Sequence, residues 1–133
     1  MRQSVFLDSS AIYALADGDD SAHGKVVECY TKSRYVITHQ AVLMEAFSLI
    51  SKRLHRVAAV EWIGALRHSP KIEVFTLDKD LIDGSWARCV KYADKEWDWI
   101  DCASFELMER RGIKSALALD QHFRQAGFRL MIT

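Results

Sequence analysis

Short apolar runs rich in β-branched residues recur along the chain, and longer segments whose apolar positions follow a helical spacing separate them. The runs predict five strands: Ser4–Leu7, Tyr35–Thr38, Ile72–Thr76, Ser115–Leu119 and Phe128–Ile132. Strands that alternate with helices form parallel sheets covered on both faces. The pattern therefore predicts an α/β fold, a three-layer α/β/α sandwich around a five-stranded parallel sheet.

The helices between these runs have recognisable ends. The first helix is capped by Asp8 or Ser9, and a short last helix follows Asp120 and ends at Gly127. Proline and glycine mark the ends of several others. The intervening helices are predicted at about Ser21–Lys32, His39–Leu54, Arg56–His68, Lys79–Tyr92 and Ile100–Arg111.

The order of the strands follows from the handedness of their connections. Right-handed crossovers place successive strands side by side, and the direction must reverse once for helices to cover both faces. We expect the order 3-2-1-4-5, with the reversal between the first and fourth strands. Asp8 follows the first of these strands and Asp120 the fourth. The crevice at this reversal, where such sheets bind ligands, therefore has an acid on each wall.

Two further acids stand where a helix needs none. Glu45 has Val42 and Leu49 about one turn away, so it shares the stripe of the third helix that is expected to face the sheet. Asp101 opens a later helix, and Asp98 precedes it by three residues. Because burying an unpaired carboxylate costs several kcal/mol, these acids need a partner.

Converging carboxylates predict a metal site. Two carboxylates about 4 Å apart repel by roughly 4 kcal/mol at an effective dielectric of about 20, so several together require a cation or a proton. Asp8, Asp101 and Asp120 each also suit a helix N-terminus, but their agreement on one edge favours a site. Oxygen ligands without His or Cys favour a hard ion, Mg²⁺ or Mn²⁺.

Composition narrows the class of protein. The 133 residues, 50% of them hydrophobic, fit one domain spanning residues 1–133. Eighteen basic and eighteen acidic side chains cancel, so an anionic substrate must be held locally. Three cysteines without Cys-x-x-Cys spacing favour a reducing cytoplasm over a disulfide framework. The first apolar run is too short for a signal or membrane segment, so we expect a cytoplasmic protein.

Other conspicuous residues are expected to have structural roles. Trp97 and Trp99, which flank Asp98, are expected to pack rather than stack on an unpaired base. The histidines show no metal-binding spacing and are expected at the surface or at helix caps; they are His23, His39, His55, His68 and His122. A basic group is expected at a solvated helix end, and its members are Lys52, Arg53 and Arg56.

Three groups of residues together resemble a known family. The first is Phe-Leu-Asp-Ser-Ser-Ala at 6–11, and the second is the helix that bears Glu45. The third runs along Trp97, Asp101, Gly112, Asp120, Phe123, Gly127 and Phe128. In order and spacing these groups, which span the whole chain, resemble the PIN-domain nucleases, and in particular the VapC-type toxins of bacterial and archaeal toxin–antitoxin modules.

This resemblance implies a metal-dependent endoribonuclease that cleaves single-stranded or loop RNA, the toxin of a type II toxin–antitoxin pair. It implies catalytic roles for Asp8, Glu45, Asp101 and Asp120, with Ser9 or Ser10 as a candidate helper. Within this set, Asp8, Asp101 and Asp120 are expected to hold the metal. Relative to the family pattern, Asp98 is an extra acid, suited to binding the metal through water or to capping the helix.

The resemblance also implies partners. Toxin-type relatives pair with a small antitoxin that lies over the acidic groove, and they commonly self-associate. A cognate antitoxin and a homodimer are therefore expected here. Trp62 and Leu66, which we expect on exposed helix faces, are compatible with both.

Two alternatives stay open. A phosphoryl-accepting receiver domain also joins a parallel sheet to acids and Mg²⁺, but it resembles a chain with an acid pair after the first strand, an acceptor Asp ending the third and a Lys ending the fifth. Here Asp8 is single, Thr76 ends the third predicted strand and Thr133 ends the sequence. The other alternative is a PIN-like scaffold that only binds a partner, and the presence of all four acids argues against it.

Overall fold

A computed structural model describes residues 4–132, so the receiver-domain argument at Thr133 lies outside the described residues. Five strands form one parallel sheet: β1 (Ser4–Leu7), β2 (Tyr35–His39), β3 (Ile72–Phe75), β4 (Ser115–Leu117) and β5 (Arg129–Leu130). Their order is β3-β2-β1-β4-β5, which confirms the predicted 3-2-1-4-5 arrangement. Phe6 of β1 pairs with Ile37 on one side and with Ala116 on the other.

Helices connect the strands and cover both faces of the sheet. They are α1 (Ser9–Ala16), α2 (His23–Lys32), α3 (Gln40–Arg53), α4 (Arg56–His68), α5 (Lys79–Lys91), α6 (Trp99–Arg111) and α7 (His122–Gln125). Because the crossovers reverse after β3, right-handed connections put α1 to α4 on one face and α5 to α7 on the other. The packing agrees: α1 contacts α2 and α3, α3 contacts α4, and α6 contacts both α5 and α7.

Aromatic side chains fill the core between the sheet and the second helix layer. Phe6, Phe105 and Phe123 are fully buried. The ring of Phe123 lies 5.8 Å from that of Phe6 and 5.0 Å from that of Phe105, in an edge-on contact with the latter. These contacts tie α7, and the loop before it, to the centre of the sheet. The end of β4 is thereby held close to the end of β1.

Several element ends differ from the prediction. We expected the fourth strand to reach Leu119, but β4 ends at Leu117. The cause is a hydrogen bond of 3.0 Å from the Leu119 amide to the Ser10 hydroxyl, which draws the chain away from the ladder. β5 is likewise shorter than predicted, and α2 begins at His23 rather than at Ser21, without a side-chain cap.

The exposed face of α4 also differs from the prediction. Leu66 is 5% exposed, because with Ala59 and Ile63 it forms the stripe that faces the core. Trp62 is half-buried and packs at the edge of the same core. The apolar side chains that α4 does expose are Val57 and Val60. Within residues 4–132, no helix combines the length and the apolar character that a membrane span requires.

Candidate metal centre

A pocket of about 340 Å³ opens at the carboxyl edge of the sheet, beside the ends of β1 and β4. Seven carboxylate residues line it: Asp8, Asp20, Glu45, Glu96, Asp98, Asp101 and Asp120. The four acids that we predicted as catalytic are therefore brought to one place, together with Asp98. Among the described residues, His122 is the one basic side chain within 4.0 Å of any of these carboxylates. None of these carboxylates therefore forms an ion pair with a lysine or arginine in the described part of the chain, although Arg53 also lines the pocket.

Asp8 leaves β1 and caps α1. Its carboxylate accepts hydrogen bonds from the Ser10 hydroxyl at 2.8 Å and from the Ser10 amide at 3.4 Å. Burial raises its pKa to about 6, although these hydrogen bonds and one from the Ser9 amide oppose the shift; the charge of Glu45 raises it further. Asp8 is therefore an N-cap and a pocket acid at once.

Glu45 lies at the border of the buried face of α3. The prediction that it shares the sheet-facing stripe is only partly correct, because Val42 and Ala46 are buried whereas Glu45 is half-buried. Its side chain reaches into the pocket, where the Ser9 hydroxyl donates a hydrogen bond of 2.5 Å to Oε1. Of the two candidate helpers, Ser9 contacts Glu45, and Ser10 contacts Asp8.

Asp98 and Asp101 form a capping box at the start of α6. Asp98 Oδ1 accepts from the Asp101 amide at 2.8 Å, and Asp101 Oδ2 accepts from the Asp98 amide at 3.2 Å. Burial, followed by the charge of Asp98, raises the pKa of Asp101 to about 7, against a hydrogen bond to His122. The structure thus places Asp98 as the helix cap, one of the two roles that we considered for it.

His122 is the residue that the sequence analysis missed. Its Nδ1 lies 3.0 Å from Asp101 Oδ2 and 3.2 Å from Asp120 Oδ2. Potential ligand atoms of Asp101, Asp120 and His122 all lie within 4.8 Å of one another. His122 is therefore half-buried in the acidic pocket, rather than at the surface or at a helix cap as we expected. The expectation of an oxygen-only donor set stays a prediction. The signal available in the sequence was its position two residues after Asp120, at the end of a strand.

The aromatic and basic residues that we singled out in the sequence differ in their surroundings. Trp97 packs edge-on against Phe105 with ring centroids 5.0 Å apart, in agreement with the packing role that we expected. Trp99 is half-exposed and lies 5.1 Å from the ring of Trp86. Lys52, Arg53 and Arg56 are exposed, as expected for a solvated helix end, and Arg53 also lines the acidic pocket.

The donor chemistry of the pocket fits a divalent cation. Seven carboxylates line the pocket, and the charges of Glu45 and Asp98 add to the effect of burial in raising the pKa values of Asp8 and Asp101 to about 6 and about 7. A dication offsets that repulsion directly. Carboxylate oxygens match Mg²⁺ and Mn²⁺, and the imidazole of His122 is a ligand that Mn²⁺ accepts more readily than Mg²⁺.

Comparison with known proteins identifies the family. A family model for the PIN domain matches residues 5–129. The chain therefore belongs to the PIN domain family. Because the chain belongs to this family and has a single acid after β1, we reject the receiver-domain alternative.

Individual relatives make the likeness more specific. The 23S rRNA-specific endonuclease VapC20 of Mycobacterium tuberculosis (strain ATCC 25618 / H37Rv) is 33% identical over 125 residues, or 93% of this chain and 95% of that protein. The crystal structure of VapC20, described as a sarcin–ricin loop cleaving toxin, has a TM-score of 0.88 at 32% identity and covers 93% of this chain and 95% of its own.

More distant structures share the fold alone. FitAcB from Neisseria gonorrhoeae gives a TM-score of 0.70 at 15% identity and covers 95% of both chains. VapBC2 from Rickettsia felis, bound to a DNA fragment from its promoter, gives 0.69 at 9% identity and covers 96% of this chain and 97% of its own.

Proposed function

We propose that this protein is a divalent-metal-dependent endoribonuclease that cleaves unpaired or loop RNA, and that it is the toxin of a type II toxin–antitoxin pair. The observation that carries the proposal is the meeting of Asp8, Glu45, Asp101 and Asp120 in one pocket, where no lysine or arginine among residues 4–132 pairs with them. The likeness to a 23S rRNA-specific endonuclease over 93% of the chain supports the same chemistry. An inactive scaffold would have no need to keep this costly charge.

Asp8, Asp101 and Asp120 would hold Mg²⁺ or Mn²⁺, directly or through water. His122, which touches two of these acids, would either complete the ligand set or orient the carboxylates around the ion. A bound dication supplies positive charge beside the scissile phosphate, which stabilises the negative charge that builds up during phosphodiester hydrolysis. This set of donors suits one ion or two.

Glu45 would orient the attacking water and accept its proton. The hydrogen bond from Ser9 fixes the Glu45 carboxylate, so that one of its oxygens stays available to the water. As the water oxygen bonds to phosphorus, the bond from phosphorus to the 3′ oxygen breaks, and that oxygen takes a proton from solvent. The products would carry a 5′-phosphate and a 3′-hydroxyl.

The proposed biological role includes partners. A cognate antitoxin would cover the acidic pocket, as the resemblance to toxin-type PIN-domain proteins implies. A homodimer would bury exposed apolar side chains on α3 and α4, among them Met44, Val57 and Val60. An RNA substrate of this kind would place the protein in the cytoplasm.

A nuclease assay tests the proposal. Purified protein should cleave a hairpin RNA bearing an unpaired loop when Mg²⁺ or Mn²⁺ is present, and an excess of chelator should abolish the cleavage. Asp120→Asn should lose activity, whereas Asp19→Asn, on an exposed loop outside the pocket, should retain it. Chelator-resistant cleavage, or products that carry a 2′,3′-cyclic phosphate, would contradict the mechanism.

A further inference from the structure

Arg53 occupies an unusual place for a cation. It is the last residue of α3 and lines the pocket that seven carboxylates also line. Its guanidinium carbon lies 5.0 Å from the centre of the Tyr13 ring. The Tyr13 hydroxyl in turn donates a hydrogen bond of 2.6 Å to Asp17 Oδ2. The position of the guanidinium is therefore set by α1, the helix that Asp8 caps.

This guanidinium is unpaired in a strongly acidic environment. Among residues 4–132, no carboxylate lies within 4.0 Å of Arg53, although acids surround the pocket. The contact with the Tyr13 ring uses none of the N–H groups in a hydrogen bond to an acid of the described residues, so they can donate to a ligand. A cation fixed by an aromatic ring and unpaired with acids is suited to an anion that arrives from outside.

The charge of the pocket creates a need for such a cation. RNA is a polyanion, and a dication between Asp8, Asp101 and Asp120 would compensate charge only around the phosphate that is cut. Neighbouring phosphates would still meet the remaining carboxylates, among them Asp20 and Glu96. A guanidinium binds phosphate through two parallel hydrogen bonds, which fixes position as well as charge.

We propose that Arg53 binds a backbone phosphate of the RNA strand next to the scissile one, and that Tyr13 holds the guanidinium ready for it. This inference rests on the proposed endoribonuclease function. It makes Arg53 a substrate-binding residue, which sets the register of the strand in the pocket, and it makes Tyr13 a positioning residue that acts through Arg53.

The chain offers a matched control. Arg56 lies three residues further on, and its guanidinium carbon is 5.5 Å from the centre of the Phe47 ring, so it makes the same kind of contact. It does not line the acidic pocket. Arg56→Ala removes the same charge from the same region of the surface, so it separates a phosphate contact from a general electrostatic effect.

The test measures binding and turnover separately. In the cleavage-deficient Asp8→Asn background, Arg53→Ala should weaken the binding of a labelled loop RNA by about ten- to hundredfold. The slope of log Kd against log salt concentration should fall by about 0.7, as expected for one lost phosphate contact to a single strand. With Asp8 intact, Arg53→Ala should raise KM much more than it lowers kcat, and Arg53→Lys should recover part of the loss.

Each outcome bears on the inference. Arg56→Ala should change neither Kd nor the salt slope, and Tyr13→Leu should weaken binding more than Tyr13→Phe, which keeps the ring. Equal Kd and equal salt slope for Arg53→Ala and its parent, or an equal loss for Arg56→Ala, would overturn the proposal. Should Arg53→Ala not fold, as judged by circular dichroism, the same comparison with Arg53→Gln decides the matter. Chelator-sensitive cleavage by the wild type tests the endoribonuclease function itself. If the wild type cleaves RNA in this way and Arg53→Ala binds RNA as its parent does, only the inference about Arg53 is rejected.

Discussion

A buried hydrogen bond of 2.9 Å between His39 Nε2 and Ser104 Oγ joins the start of α3 to α6. These two helices carry Glu45 and Asp101. His39 Nδ1 accepts from the Val42 amide at 3.4 Å, and the Ser104 hydroxyl donates to the Ile100 carbonyl at 3.0 Å. Every polar atom of the pair is therefore satisfied when the imidazole is neutral, so the spacing of the two acid-bearing helices depends on an uncharged histidine.

Acid should weaken the fold through His39. Burial lowers its pKa to about 4 from 6.5. The pKa of His39 is lower in the folded protein than in the unfolded chain. The contribution of the neutral imidazole to the free energy of unfolding is therefore fully present above pH 6.5 and is lost as pH falls toward 4. Urea unfolding in chelator should show a loss from this residue of about 2 kcal/mol between about pH 6.5 and about pH 5. His39→Asn, which can still cap α3, should lack this loss. A variant at the exposed cap His55 should show the same dependence of stability on pH as the wild type.

Removing the charge of Asp8 should stabilise the metal-free protein. Its folded pKa, about 6, lies above the value of 3.8 for the free side chain, so the penalty is absent below pH 3.8, grows as pH rises from 3.8 to about 6, and is complete above that. At neutral pH it amounts to about 3 kcal/mol. In chelator, Asp8→Asn should melt above the wild type at about pH 7.5, and the difference should shrink steadily as pH falls from about 6 toward 3.8. Millimolar Mn²⁺ should raise the Tm of the wild type more than that of the variant, and equal shifts would place the ion elsewhere.

Metal affinity should depend on pH through the same acids. Protons compete with the ion at Asp8 and Asp101, whose pKa values are about 6 and about 7. Apparent Mn²⁺ affinity should therefore be nearly constant above pH 8 and should fall by about tenfold per pH unit for each proton displaced below these pKa values. Isothermal titration calorimetry at several pH values checks this, with buffers of different ionisation enthalpy to count the protons released. A pH-independent Kd would exclude these carboxylates as ligands.

His122 should matter for the metal more than for the fold. Since its Nδ1 contacts both Asp101 and Asp120, His122→Ala should weaken Mn²⁺ binding by about 10- to 100-fold. If the imidazole ligates the ion, the preference for Mn²⁺ over Mg²⁺ should also shrink, because a nitrogen donor favours the former. The comparison uses calorimetry with both metals. His68→Ala, at the exposed end of α4, serves as the control and should bind both ions as the wild type does.

Two helical glycines should respond oppositely to alanine. A Cβ at Gly84 of α5 would lie 2.5 Å from Arg110 Nη2 and 2.9 Å from Glu106 Oε2, and these two residues form an ion pair on the neighbouring helix α6. Nothing lies within 4 Å of a Cβ at Gly64 of α4. Gly64→Ala should therefore raise the free energy of unfolding by about 0.5–1 kcal/mol. Gly84→Ala should leave the free energy of unfolding unchanged or lower it, because Glu106 and Arg110 must move. A rise equal to that at Gly64 would contradict the expectation.

The fold was predictable because its determinants are local and periodic. Apolar runs defined the strands, and the rule for right-handed crossovers then fixed the order and placed Asp8 beside Asp120. The end of β4 was not predictable, because it depends on a hydrogen bond between Leu119 and Ser10, which are 109 residues apart. Residue type alone carries no information about such a contact.

The site was predictable in its acids and not in its other members. Acids at strand ends and on an apolar helix face are anomalous in the sequence itself. His122 and Arg53, in contrast, are common residues at ordinary positions. Their place beside the acids depends on contacts with Asp101 and Tyr13, each reached across tertiary packing that no spacing rule describes.

The pairing of β1 with β4 has a kinetic consequence. The crevice exists only where these strands lie side by side, and their partners are separated by most of the chain, as Val5 with Ser115 illustrates. Contacts between such distant segments form slowly, since closing a long loop costs entropy before the contact repays it. The pocket of a newly made polypeptide is thus incomplete until β1 and β4 have met, and the delay between synthesis and a formed pocket is a property of the topology itself.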